Sequence, residues 1–321
     1  MGDIAHQLGL AEETAWGDAT TPNRFVEFVS ETMQRNNIIA TSQGIRSGTR
    51  YGGQGRRIAR HDATGSITFE VARTGFGVFF EYLLGAVNSA NTVGSVWTHT
   101  FTPGSLLGKS LNFQKGVEKA DGTVQAFTYP GSKLVAAEFS VAQDGLLMMT
   151  LDVDSEQEIT GTALASASYT TPVIFTYSEG TLKKDTVTVA SVRSVPSVRI
   201  QNNLLVERFF LGNTGTKDEQ LNVPFDAITG SLDVEFQNLT DFYNAFAADT
   251  ELELQLLFEG ATIESTHKYT FQLTIANARL EGETPKVSGP ELVYQSIPFV
   301  GLDDATDPAV EIVYKTTDTT P

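Results

Sequence analysis

The sequence predicts a mainly β chain built as two tandem halves, each carrying one short helix. Three observations predict it. Most segments alternate apolar and polar residues with a period of two and are rich in Val, Thr, Phe and Tyr. Only two stretches have helical spacing. And the strand opening "HDATGSITFEV" (His61 to Val71) is nearly rewritten as "FDAITGSLDVEF" (Phe225 to Phe236).

Along the chain, "SITFEV", "KLVAAEFSVA", "LLMMTLDV", "PVIFTYSEG", "DTVTVASV", "SLDVEF", "LELQLLFEG" and "KYTFQLTIA" read as half-buried strands. Turns such as "ADG" and "QDG" punctuate them. The stretch "FGVFFEYLLGAV" sets Phe76, Phe79 or Phe80, Leu83 and Val87 on one helical face. "NLTDFYNAFAAD" does the same with Phe242 and Phe246, behind Asn238 or Thr240 as N-cap. Each helix is expected to cover the end of a sheet.

The repetition has order. "QRNNII" matches "QNNLL", with Asn36 and Asn202 offset by 166. "TGSI" at Thr64 matches "TGSL" at Thr229, offset by 165, and Glu70 and Glu235 keep that offset. An aromatic helix follows each TGS strand, and strands then return, "EFSVAQDGLL" in one half and "FQLTIANARL" in the other. An internal duplication follows. Residues 1–19 form an N-terminal arm, 20–160 the first domain, 161–171 a small, polar linker, and 172–321 the second domain.

At 321 residues the chain can bury two cores. It holds no cysteine, which removes disulfides, thiolate nucleophiles and cysteine metal sites. Its net charge of -17 disfavours tight nucleic-acid binding, which needs Lys and Arg to displace counterions. The acidity is uneven: residues 1–160 carry 12 Lys+Arg against 17 Asp+Glu, and residues 161–321 carry 10 against 22. No apolar run has membrane-spanning length, and the start lacks a secretory pattern, so folding in a cytoplasm is expected.

A search for chemistry finds no catalytic constellation. The four histidines have no ligand spacing, there is no GxSxG elbow or P-loop, and "GGQGRR" lacks the dinucleotide context. "DVDSEQE" places Asp152, Asp154, Glu156 and Glu158 at alternate positions of an extended strand. Gln157 stands where a calcium loop needs glycine, so a solvated acidic strand is the reading. No cofactor and no metal is expected.

"GIRSGTRYGGQGRRIARH" (44–61) gathers Arg46, Arg50, Arg56, Arg57 and Arg60 among glycines. Between strand-like flanks it reads as a long, flexible basic loop. Docking on carboxylates of another copy is its preferred role, with Asp152, Asp154, Glu156 and Glu158 as candidate partners. Each exposed pair would add only ~0–1 kcal/mol, so such charges set register more than strength.

The stretch "LGLAEETAWGDATTPNRFVEFVSETM" resembles the opening of tail tube proteins (major tail proteins) of long-tailed phages and related viruses. The matching residues are Gly9, Glu13, Thr14, Gly17, Thr21, Pro22, Arg24, Phe25, Ser30 and Glu31. "TYPGSKLVAAEFSVAQDGLLMMTLDVDSE", with Gly131 after its aromatic-proline turn, resembles the strand pair that follows; "SVRIQNNL" and "IPFVGL" also fit. The resemblance implies β-sandwich or barrel-like domains, each flanked by one helix, in rings that stack into a hollow tube for DNA. It implies sheets joined side by side around the ring, with loops and terminal arms between rings. Trp16, Arg24 and Phe25 are then candidate arm contacts, and the arginine loop a candidate inter-ring contact. Tail terminator, tail tip and tape measure proteins are the implied partners, DNA passes without tight binding, and the tail of the virion is the implied location. Two tandem copies per chain would fill a sixfold ring with three chains.

A β-sandwich binding or adhesion module is the competing class. It would need exposed aromatic platforms, for which only Trp16 and Trp97 are available.

Overall fold

A computed structural model describes residues 5–45, 47–48, 55–224, 226–287, 289–303 and 306–321. Strand makes up 53% of the chain and helix 6%, so the β-rich expectation holds. The first half runs β1 (Gln7–Glu12), β2 (Arg24–Phe25), β3 (Ser30–Glu31), β4 (Gln34–Thr41), β5 (Arg56–Glu70), α1 (Gly77–Leu84), β6 (Gly85–Val93), β7 (Val96–Pro103), β8 (Leu111–Glu118), β9 (Val124–Val141) and β10 (Met148–Ser155). The second runs β11 (Gly180–Lys184), β12 (Val187–Thr188), β13 (Val192–Gln201), β14 (Leu204–Leu205), β15 (Leu221–Asn222), β16 (Ala227–Glu235), α2 (Tyr243–Ala248), β17 (Leu252–Glu264), β18 (His267–Leu280), β19 (Tyr294–Gly301) and β20 (Glu311–Thr316).

One antiparallel row holds both halves, in the order β4-β5-β10-β9-β13-β16-β19-β18. A second row runs β6-β7-β20-β18-β17-β11-β12. The long strand β18 serves both, pairing β20 over Thr270–Thr274 and β19 over Ala278–Leu280. The N-terminal part of β9 turns away to pair β8, which pairs β1.

The apolar phase of each strand faces one continuous core. Phe80 of α1 sits at its centre, with ring centroids 5.7 Å from Phe101, 6.2 Å from Phe139, 5.5 Å from Phe271 and 5.5 Å from Tyr314. Those four rings come from both halves, so the halves share a core.

Several expectations are corrected. Helix α1 ends at Leu84, because Gly85 takes a left-handed φ of 96° and its N–H bonds to the Glu81 carbonyl; Val87 lies in β6. Helix α2 starts at Tyr243, and Asn238 Oδ1 accepts the N–H groups of Thr240 and Asp241 in a turn ahead of it. "PVIFTYSEG" is not one strand: Ile174 and Thr176 make single bridges to Ala72 and Leu146, Tyr177–Glu179 form a 3₁₀ turn, and only Gly180 belongs to β11. Residues 161–171 are no free spacer: Gln114 bonds Ala163 and Ala165, Gln7 bonds Ala165, and Tyr169 meets Phe25 edge-on. The described part of the N-terminal arm is also built in, with Leu8, Leu10 and Ala11 of β1 buried.

Candidate assembly surfaces

The long row carries a repeat that sequence matching caught only in part. Strands β5 and β10 pair through eight positions, from Met148↔Glu70 to Ser155↔Ala63. Strands β16 and β19 pair through the matching eight, from Tyr294↔Glu235 to Gly301↔Ile228. Glu70 to Glu235 is an offset of 165, Met148 to Tyr294 one of 146, and every pair obeys both. The outer neighbours repeat as well. Gln34↔Thr64, Arg35↔Ala63 and Asn36↔Asp62 become Arg199↔Thr229, Ile200↔Ile228 and Gln201↔Ala227. Val153↔Leu134 and Asp154↔Lys133 become Phe299↔Leu280 and Val300↔Arg279.

Four strands, β4-β5-β10-β9, therefore recur as β13-β16-β19-β18. Two alignments need correction. By register the counterpart of Asn36 is Gln201, not Asn202; and "FQLTIANARL" matches residues 125–134, not "EFSVAQDGLL". Short motifs slip by a residue or more where strand registers do not.

The repeated TGS has a steric cause. A Cβ on Gly65 would lie 2.5 Å from Met33 Cα and 2.7 Å from the Thr32 carbonyl carbon. A Cβ on Gly230 would lie 2.7 Å from the Ser197 carbonyl oxygen and 2.3 Å from Phe299. Thr32 and Ser197 are equivalent at the same offset of 165, so each half presses the same piece of backbone onto its glycine.

The face of this row away from the core is polar. Ser66 donates to Asp152 at 2.7 Å, Thr68 and Thr150 touch at 3.1 Å, and Ser194 donates to Asp233 at 3.1 Å. Glu70, Glu138 and Glu235 share this face, where Arg199 bridges Glu138 and Asp152. Hydroxyls and carboxylates dominate it.

The arginines divide. Arg46 and Arg50 lie outside the described residues. Arg56, Arg57 and Arg60 are on β5, not in a loop: they pair with Thr41, Ala40 and Ile38 of β4. The loop reading of 44–61 thus fails from residue 56 onward, because residues 56–61 carry no glycine or proline and pair with Asn37–Thr41 of β4. Arg56 and Arg57 are exposed, and among the described residues neither has an ionic partner. The same hairpin exposes Ile38 (49%), Ile39 (39%) and Ile58 (53%). Arg60 is engaged within the chain, pairing with Glu207 and lying 4.3 Å over the Phe209 ring.

The proposed acidic partners are engaged too, which corrects the solvated-strand reading. Asp152 is bonded by Arg199 and Ser66. Asp154 is buried, with Lys217 Nζ at 2.6 Å and Gln220 Nε2 at 2.7 Å. Burial pushes the Asp154 carboxyl up from the usual carboxylate range, against the pull of Lys217. Burial also raises Glu156, which Thr216 bonds, and Glu158 accepts from the Tyr129 hydroxyl at 2.9 Å. Lys217 and Gln220, both missed in the sequence, come from the segment between β14 and β15, which folds back over β10. Their only sequence signal was polar character in a stretch without strand periodicity.

Trp16 joins this cluster through Nε1, 3.1 Å from Gln220 Oε1. Arg24 binds Glu12 at 3.0 Å and the Pro321 carbonyl, and Phe25 packs on Tyr169. Each of the three candidate arm contacts thus has a partner inside the chain. Nearby, Glu13 accepts from Gly131 N at 2.9 Å, Gly17 N at 3.0 Å and Ser110 Oγ at 2.6 Å; burial pushes its carboxyl up to about 7.

Among the described residues no group of three His, Cys, Asp or Glu is placed to hold a metal ion, and no helix is long and apolar enough to cross a membrane. No curated protein matches the chain. A family model described as phage tail tube protein matches residues 4–301, nearly its whole length. A chain so covered, built of side-by-side β units, is a structural component of a virion tail, and it belongs to the phage tail tube protein family.

Proposed function

We propose that three copies of this chain form each ring of a tail tube, with pseudo-sixfold symmetry, and that the rings stack into a hollow conduit for DNA ejected into the host. The observation that carries the reading is the repeated register: one chain supplies two equivalent four-strand units, already joined side by side by β9 and β13. Three chains of eight strands would close a barrel of about 24 strands, ~48 Å across the backbone at a strand spacing of ~4.8 Å and a tilt of ~40°. That width passes a DNA duplex.

In this reading the polar face lines the bore. Its hydroxyls and carboxylates repel or ignore phosphate, so DNA slides rather than sticks. The exposed β4–β5 hairpin, with Ile38, Ile39, Ile58, Arg56 and Arg57, is suited to reach the next ring, together with Arg46 and Arg50. Terminator, tip and tape measure proteins would meet the tube during assembly in the host cytoplasm. The subunit acts by shape and association rather than by catalysis, and it needs no cofactor. The adhesion-module alternative loses support because Trp16 is tied to Gln220 and Trp97 stacks on His99.

Electron microscopy of the concentrated, purified protein tests the reading. Hollow tubes or stacked rings are expected. Compact single particles that persist after addition of tail tip extract would contradict it.

A further inference from the structure

The two halves differ in one respect that the repeat makes interpretable. In the first, β9 continues past Leu134 and its residues Ala136–Phe139 pair with Gln201–Val198 of β13. That joint is buried: Ala136, Ala137 and Phe139 are fully covered, and Val198 and Ile200 nearly so. In the second half the equivalent of β9 stops as a strand at Leu280, and residues 281–287 continue without strand partners. At the other end of the row, β4 is the equivalent of β13, and among the described residues its outer edge pairs with nothing. One half of a joint is therefore left open at each end of the same chain.

We infer that residues Gly282–Thr284 of one copy become a strand against Asn36–Gln34 of the next, in the register the chain already uses between β9 and β13. This rests on the ring reading above and adds to it the edges, the register and a folding event. Carrying the offsets across, Gln201↔Ala136 becomes Asn36↔Gly282, Ile200↔Ala137 becomes Arg35↔Glu283, and Arg199↔Glu138 becomes Gln34↔Thr284.

Three observations favour this occupant. The segment is already laid alongside β19: Glu281 N bonds the Pro298 carbonyl at 2.8 Å and Gln295 Nε2 reaches the Glu283 carbonyl at 3.3 Å. Its far side is therefore free to accept a strand. The register puts a cation opposite an anion. Arg35 is exposed and donates to Asn37, while among the described residues Glu283 pairs with its exposed neighbour Lys286 alone, a pair of little worth. Finally, Pro285 lacks an N–H and ends the ladder after three pairs, which keeps the edge too short to recruit foreign strands.

Hydrogen exchange on wild-type protein, unassembled and as tubes, gives the first test. The amides that face each other across the joint, those of Arg35 and Glu283, should exchange at least ~10-fold more slowly in tubes. The chain has no cysteine, so a cross-link gives the second. Opposite residues of antiparallel strands lie within disulfide reach. In assembled R35C/E283C protein, oxidation should yield dimers and closed trimers on non-reducing gels; R35C/K286C, displaced by ~10 Å along the strand, should not. Tubes in which the Arg35 and Glu283 amides exchange as in the free chain, or in which both cysteine pairs link equally, overturn the joint while leaving the tube reading intact. Failure of the wild-type protein to form tubes overturns both.

Discussion

Lys217 Nζ stands 2.6 Å from Asp154 Oδ1, with side-chain exposures of only 1% and 5%. The lysine also lies 3.2 Å from Asp62 Oδ2, so one buried ammonium ties the 204–222 segment to β5 and β10. Removing one partner of a buried pair strands the other charge. Lys217→Met should destabilise the chain by about 3–5 kcal/mol in denaturant unfolding, and adding Asp154→Asn should recover part of that loss.

The glycines of the two TGS strands should be equally intolerant. Gly65→Ala and Gly230→Ala each drive a methyl into the equivalent backbone at Thr32–Met33 or Ser197. Each should cost about 1–3 kcal/mol by thermal or denaturant unfolding. A neutral outcome at either position would break the steric account of the repeat.

Stability should fall between about pH 4 and 7 through Glu13. Its folded pKa, about 7, lies above the unfolded carboxylate value, so its contribution is full below about 4.3 and is lost as pH rises through 7. The loss is on the order of 3 kcal/mol at most. Glu13→Gln should flatten the slope of unfolding free energy against pH over this window, while lowering stability at pH 5 through a mismatched donor.

Charge on the polar face should decide whether tubes hold DNA. Glu70 and Glu235 occupy equivalent, half-buried positions on that face. Wild-type tubes should not retain duplex DNA at low salt. Tubes of the Glu70→Lys, Glu235→Lys double variant should retain it, with binding lost as salt is raised. Equal retention by both would place another surface in the bore.

Six of the eight segments read as strands were legible because half-buried strands write a period of two, whereas "PVIFTYSEG" and "DTVTVASV" hold little regular strand; the helices were legible because aromatic spacing switched to helical turns at Phe76–Leu83 and Phe242–Phe246. The repetition was visible at TGS because a glycine under backbone pressure leaves no alternative residue. Its full extent was not: Met148–Ser155 and Tyr294–Gly301 share a register but almost no residues. The arginine cluster misled by composition. Gly-rich flanks suggested a loop, whereas Arg56–Arg60 pair as strand. The acidic run misled in the same way, since Lys217 lies 63 residues beyond Asp154 and only folding brings them together. The N-terminal contacts were chosen by resemblance, and Trp16, Arg24 and Phe25 find their partners inside the chain.

The central claim is that one chain fills two ring positions. Averaged end-on electron micrographs of assembled tubes, combined with the mass of an isolated ring, test it most directly. The account predicts six similar lobes that obey threefold but not sixfold symmetry, and a ring mass of three 34.8 kDa chains. Six chains per ring, with true sixfold symmetry, would contradict it.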